Sequence, residues 1–230
     1  MLQREADCVA AVEKNIGYLF KDKTLLVEAL SHSSYTNERK LNKTACYERY
    51  EFLGDAVLEL VSSTLLYQHY PELSEGQLSK RRASLVCEKA LAPCARKLEL
   101  NRYILLGRGE EKNHGNEHDS MLCDVIEAVI GAIYLDGGFD EAFAFIEKFI
   151  LNREAFSGAF VDYKTMFQEL IQKRSDDKIV YELLDSIGPD HDKTYIVQVK
   201  VGDRVCGRGE GSNKKAAEMA AAKMAIDAIE

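Results

Sequence analysis

Residues 120–135, SMLCDVIEAVIGAIYL, are apolar on almost every side of a helix, yet they carry Asp124 and Glu127 three positions apart on one face. A helix of that composition belongs inside a core. A carboxylate taken there has to be paired, protonated or bound to a cation. The fold must therefore bring this helix something that answers its two acids. A second helix-period stretch, 51–69 (EFLGDAVLELVSSTLLYQH), keeps its apolar side chains on one face, stops at Pro71, and carries Glu51 and Asp55 four apart. Beyond Arg49, neither segment contains a lysine or arginine to act as a local partner. If the two acidic faces pack together, four carboxylates supply hard oxygen ligands, a set that suits Mg²⁺ or Mn²⁺. Two such ions can clamp the attacking and leaving oxygens of a phosphodiester displacement. The other reading is ordinary helix surface, with the acids solvated or bridged to distant bases. Spacing leaves both open.

Around these stretches, the first two-thirds of the chain reads as mostly helical. Residues 75–100 show helix-period apolar positions, and 139–151 form a further helix after the Gly137–Gly138 break. The polar, glycine-containing stretch 107–120 (GRGEEKNHGNEHDS) is aperiodic and predicts a mobile loop. No apolar run reaches the roughly 18 residues of a membrane span, and the charged N-terminal stretch offers no signal-peptide core. Six cysteines are scattered without CxxC pairs. They read as reduced, packed thiols, and a cytoplasmic protein without membrane partners is expected. Cys123 is among these packed thiols.

The character changes near 152–161. From there the order is helix (163–173), strands (179–187, 194–201, 204–210) and helix (213–229). TYIVQVKV alternates, with Tyr195, Val197, Val199 and Val201 on one face. In the last helix Ala217, Ala220, Ala221 and Met224 are spaced to face a sheet. The fold class expected is therefore α+β: an all-helical N-terminal domain over 1–155, a linker over 156–161, and a small α-β-β-β-α domain over 162–230. Net charge is −8, from 30 basic and 38 acidic residues, and neither part is basic. A phosphate-binding surface has to be local. GSNKKAAEMAAA supplies a candidate: Ser212 or Asn213 caps the last helix, with Lys214 and Lys215 in its first turn. Those lysines oppose the helix dipole unless an anion offsets them, although a solvated lysine pair looks the same in sequence. On the opening helix, Thr165, Gln168, Glu169 and Gln172 share one polar face. Side chains of this kind suit ribose hydroxyls and base edges in the shallow minor groove of A-form RNA, or form a plain exposed face. His191, in the turn GPDHDK, either reaches such a groove or is simply solvated.

These segments resemble a known family. ERYEFLGDAVLEL is similar to the signature of ribonuclease III, and SMLCDVIEAVIGAIYLDGG to its second acidic motif. HSSYTNE, SEGQLSKRRASLV and GRGEEK resemble its flanking segments, in the same order. DYKTMFQELIQ, GPDHDKTYIVQV and GSNKKAAEMAAAKMAI together resemble a double-stranded-RNA-binding domain. The resemblance covers nearly the whole chain. It implies a homodimeric, Mg²⁺-dependent endonuclease of double-stranded RNA, with Mn²⁺ as a substitute ion. Cleavage would leave 5′-phosphate and 3′-hydroxyl ends with short 3′ overhangs, and the work implied is processing of ribosomal-RNA precursors and messenger RNA. By position, Glu51, Asp55, Asp124 and Glu127 fall on the metal-binding carboxylates, Asp55 and Glu127 being the catalytic pair. Glu48 and Glu75 fall on further family acids near the active centre and the dimer contact. Thr165, Gln168 and Glu169 fall on the first minor-groove contact and His191 on the second, with Ser212, Asn213, Lys214 and Lys215 on the phosphates between. Two departures are visible. Tyr47 and Tyr50 stand where the signature usually has asparagine and leucine, and NHGNEHDS replaces a loop that is often basic. Neither is expected to touch the four carboxylates.

Two rival readings are a non-catalytic double-stranded-RNA-binding regulator and a metal-dependent phosphohydrolase of small substrates. Other signals carry less. The GxG at 107–109 follows no clear strand, no P-loop is present, and Ser31, His32 and Ser33 lie too close in sequence for a triad. His32 reads as helix surface or core.

Overall fold

A computed structural model of the chain describes residues 2–152, 163–175, 177–189 and 193–229. The chain forms two compact units, Met1–Phe160 and Val161–Glu230. The linker expected over 156–161 lies outside the described residues, as do both of its expected boundaries.

The first unit is helical: α1 (Gln3–Ile16), α2 (Lys23–Ala29), α3 (Ser33–Glu38), α4 (Glu48–His69), α5 (Glu75–Leu85), α6 (Glu88–Lys97), α7 (Arg108–Lys112), α8 (Asp119–Gly137) and α9 (Phe139–Phe149). Helix α8 is the axis of the unit. Leu122, Val125, Ile126, Ala128, Val129, Ile130, Ala132 and Ile133 are all fully buried, so the helix is covered on every side, as its composition requires. Helices α2, α4, α6 and α9 pack around it. From α4 come Val57, Leu58, Val61, Leu65 and Leu66, from α6 Leu91, Ala92 and Ala95, and from α9 Ala142, Phe145 and Ile146.

The crossing of α4 and α8 is backbone against backbone. A Cβ on Gly54 would stand 1.8 Å from the Glu127 carbonyl oxygen, and one on Gly131 would stand 2.3 Å from the carbonyl oxygen of Tyr50. Only glycine fits at either point. This contact fixes the register in which the two acidic faces meet.

The helix-period stretch 75–100 is divided, because Val86 and the extended Cys87 (φ −83°, ψ 161°) separate α5 from α6. One expectation is corrected here, since 107–120 is not an open loop. It holds α7 and a single 3₁₀ turn, Gly115–Glu117. Tertiary contacts anchor it: the Arg108 N–H donates to Glu38 Oε2 at 2.8 Å, and Arg4 pairs with Glu111 at 2.7 Å.

The second unit runs α10 (Tyr163–Gln172), β1 (Ile179–Ile187), β2 (Thr194–Val201), β3 (Arg204–Gly211) and α11 (Lys214–Asp227). Its sheet is antiparallel in the order β1-β2-β3, with irregularities at Leu183/Asp185 and Val199/Lys200. Val197 and Val199 bury with Phe167, Ile171, Ala217, Ala221 and Ala225. Three glycines of β3, Gly207, Gly209 and Gly211, let α11 lie directly on the strand. A Cβ at Gly209 would meet the Ala221 nitrogen at 2.1 Å. The sheet-facing row of α11 is therefore Ala217, Ala221 and Ala225. Met224, expected on that face, lies at its rim: it is largely exposed, and its Sδ accepts from the Arg208 N–H of β3 at 3.4 Å.

Candidate active site and RNA-binding surface

Because the α4–α8 contact is centred on Gly54, the residues one turn to either side come together. Glu51, Asp124 and Glu127 each present a carboxylate oxygen within 4.8 Å of the others. Asp55, one turn further along α4, is exposed and stands outside this trio, though its charge bears on Glu127. Three of the four expected ligands thus converge, and the fourth sits at the margin.

The trio is electrostatically unsatisfied. Glu127 is only 8% exposed. Its burial, followed by the charges of Asp55, Glu51 and Asp124, pushes its carboxyl up to about 7, against the pull of the Cys123 thiol. Burial and then Asp124, Glu48 and Asp55 raise Glu51. Burial raises Asp124, with Glu88 adding to it, while a hydrogen bond from Tyr47 and the proximity of His32 act in the opposite direction. Asp55 is raised by burial and by Glu59, with Arg82 opposing. Among the described residues, no ion pair involves any of these four acids. Crowded, all-oxygen and without a basic partner, the donor set fits a hard divalent cation.

The other acids fall nearby or elsewhere. Glu48, exposed in the first turn of α4, is close enough to raise Glu51. Glu75 opens α5, where its carboxylate accepts from the Ser79 hydroxyl at 2.8 Å. It lines a groove with Ser63, Thr64, Tyr67 and Arg82.

Four further residues reach the cluster. The Tyr47 hydroxyl donates to Asp124 Oδ2 at 3.4 Å. Tyr47, one of the departures from the signature, is buried at the N-terminal boundary of α4, where it makes no side-chain cap, and its hydroxyl reaches across to α8. The Cys123 thiol lies 3.6 Å from Glu127 Oε1, a pairing that the four-residue spacing already contained. Glu88 and His32 arrive from α6 and from the start of α3, and no local pattern announces them.

In the second unit, Gln168 and Gln172 are exposed on α10 and line, with Thr165, a concavity of about 710 Å³ walled by Lys164, Lys178 and Tyr181. Glu169 is half-buried on the same helix. Lys164 pairs with Glu218 at 2.6 Å and lies 4.4 Å from the Tyr181 ring centre. At α11 the cap is Asn213, whose Oδ1 accepts from the Ala216 N–H at 2.9 Å. Ser212, Lys214 and Lys215 are exposed beside it. His191 lies outside the described residues.

A sequence profile described as ribonuclease-III-like matches residues 22–154, and one described as a double-stranded RNA binding motif matches 163–229. A curated ribonuclease 3 of Caldanaerobacter subterraneus subsp. tengcongensis is 48% identical over 221 residues, 95% of this chain and 96% of its own length. The chain belongs to the ribonuclease III family. It is an enzyme of that class, an endoribonuclease of double-stranded RNA whose second unit is a double-stranded-RNA-binding motif. A ribonuclease 3 of Listeria monocytogenes is 43% identical over 95% of the chain and 96% of its own length. Among solved structures, the nuclease domain of a Campylobacter jejuni ribonuclease III is 44% identical with a TM-score of 0.58, covering 62% of this chain and 95% of that one. No helix among the described residues of this ribonuclease III family member is long and apolar enough to cross a membrane.

Proposed function

We propose that the chain hydrolyses phosphodiester bonds of double-stranded RNA with Mg²⁺ held by Glu51, Asp124 and Glu127, and with Asp55 acting beside Glu127 at the margin of the site. The observation that carries this reading is the convergence of three cation-seeking carboxylates on the crossing of α4 and α8. A bound divalent ion supplies an acidified water and stabilises charge on the phosphoryl oxygens. The chain's part is to hold the carboxylates in register, with Glu48 adding negative charge. Thr165, Gln168, Glu169 and His191 take the minor-groove side of the duplex, and Ser212, Asn213, Lys214 and Lys215 take phosphates. The duplex is read by its A-form shape.

The same proposal extends to assembly. Phe52 is 81% exposed on α4, and Leu60 and Tyr67 continue its apolar stripe in the open. A second copy covering that stripe accounts for it. The Campylobacter jejuni nuclease domain likewise has a region involved in dimer formation, where that protein shows structural flexibility. Glu75, in the groove beside Tyr67, lies at this face. Two sites in a homodimer, one per strand, leave 5′-phosphate and 3′-hydroxyl ends with short 3′ overhangs. Ribosomal-RNA precursors and messenger RNA in the cytoplasm are the substrates and compartment we assign. A Phe52→Glu chain is expected to sediment as a monomer and to lose paired cutting. A variant that remains dimeric would exclude this face as the interface.

The reading is tested with one labelled RNA, offered as a duplex of about 40 base pairs and as a single strand, a length exceeding the roughly 16 base pairs that one binding domain spans. It is incubated with Mg²⁺, with EDTA, and with Ca²⁺ in place of Mg²⁺. Cutting of the duplex alone, and only with Mg²⁺, is expected. Duplex binding without cutting would make the protein a non-catalytic regulator.

A further inference from the structure

We infer that Tyr47 is a positioning residue for Asp124, itself set in place by His32, and that this pair tunes the affinity of the site for its metal ion. The inference rests on the metal reading above. The Tyr47 ring is buried, so its two side-chain torsions are fixed by packing, and its hydroxyl is held on one side of the Asp124 carboxylate at 3.4 Å. The ring lies against His32, with centroids 5.7 Å apart and planes tilted by 44°.

His32 is fixed in turn. Its Nδ1 accepts from the Ser34 N–H at 3.2 Å and faces the Ser34 hydroxyl at 2.7 Å, and that hydroxyl oxygen accepts from the Gly107 N–H at 2.9 Å. Because Nδ1 already accepts from the Ser34 N–H, it carries no proton, and the hydroxyl donates to it. Two donors on Nδ1 place the ring proton on Nε2. The orientation of the imidazole is thus set by the start of α3 and the segment leading into α7, and it is passed to Asp124 through the Tyr47 ring.

A phenol held 3.4 Å from one carboxylate oxygen is a long, weak donor to it, and it biases the direction in which the other oxygen is presented. Hydrogen bonds of this outer kind change metal affinity or activity by about 10–100-fold when removed. The electrostatics run the same way, since the hydrogen bond from Tyr47 favours the ionised form of Asp124 against burial and Glu88.

The test is Mn²⁺ binding to the full chain without RNA, followed by the electron paramagnetic resonance of the free ion, for the parent, Glu127→Gln, Tyr47→Phe and His32→Gln. The parent is expected to bind and Glu127→Gln to lose that binding, with Tyr47→Phe weaker by about tenfold. In cleavage assays, the Mg²⁺ concentration for half-maximal rate should rise by about the same factor for Tyr47→Phe, while kcat at saturating Mg²⁺ stays within about twofold. Melting in EDTA reports whether each variant is folded. If Tyr47→Phe fails to fold, His32→Gln reads the same arm, with Mn²⁺ binding expected to weaken several-fold. Parent-like Mn²⁺ affinity in the folded variants overturns the inference and leaves the metal reading intact. A parent that binds no Mn²⁺ overturns the metal reading, and the inference falls with it.

Discussion

A Glu127→Gln chain is expected to bind duplex RNA as the parent does and to cut it at least about 10³-fold more slowly, equivalent to about 4 kcal/mol of transition-state stabilisation. Glutamine keeps the shape of the side chain but removes a charge from the three-oxygen cluster. Binding survives because the RNA-binding motif is a separate unit of the chain. Duplex retention in a gel-shift assay with cleavage intact would remove Glu127 from the chemistry. Loss of both would mean that binding depends on the carboxylate.

The same variant has a signature in stability. The folded carboxyl of Glu127 titrates at about 7, against about 4.3 in an unfolded chain. Between those values the folded state holds a proton that the unfolded state does not, so stability declines as pH rises through this window and the full penalty is present above it. Partial solvation of the site brings the effect to about 1–2 kcal/mol, or roughly 2–8 °C in Tm for a chain of this size. In EDTA, Glu127→Gln should therefore melt above the parent at pH 8 and near it at pH 4. Mg²⁺ should raise the parent's Tm at pH 8 and leave the variant's unmoved. Identical Tm profiles against pH for the two chains would show that the carboxylate is not under strain.

The second large effect is expected at Gly54. In Gly54→Ala, the added methyl would meet the Glu127 carbonyl oxygen at 1.8 Å, and the Glu127 carbonyl carbon lies at 2.6 Å. No rotamer relieves a clash with backbone, so α4 and α8 must move apart. Overpacked cores lose about 1–3 kcal/mol, and a backbone wedge belongs at or above the top of that range. The expected fall in Tm is of order 10 °C, measured by calorimetry in EDTA. Moving the helices also separates Glu51 from Asp124 and Glu127, so Mn²⁺ binding should weaken in the protein that remains folded. A Tm within about 2 °C of the parent would show that the crossing can give way.

Much of this site was legible in the sequence, because the information is local. Asp124 and Glu127 inside an apolar run have to be answered by something, and Glu51 and Asp55 are the acids on the other helix with a matching face. The strands and closing helix of the second unit follow from alternation in TYIVQVKV and from the alanine row. What escaped depends on contacts between distant segments. Residues 108–112 are too polar to announce a helix, and they are held by Glu38 and Arg4 from elsewhere. The break at Cys87 leaves the helical period on both sides intact, so periodicity passes over it. The place of Asp55 at the margin depends on where Gly54 sits in the crossing. Ala217, Ala221 and Ala225 lie over the three strand glycines, which leave room for methyl groups only, while Met224 meets β3 at the rim through its Sδ and the Arg208 N–H. Tyr47 was visible as a departure from a signature, but its reach to Asp124 depends on a ring packed against His32 from another helix.

The division of the carboxylate trio between α4 and α8 has a consequence for safety. Neither helix alone carries the trio, and what gathers it is a glycine contact that exists only after docking. An unfinished, misfolded or heat-opened chain keeps every one of its acids and none of their convergence. On the function proposed above, such a chain is disarmed without any inhibitor, and the capacity to cut RNA arises only when the core closes.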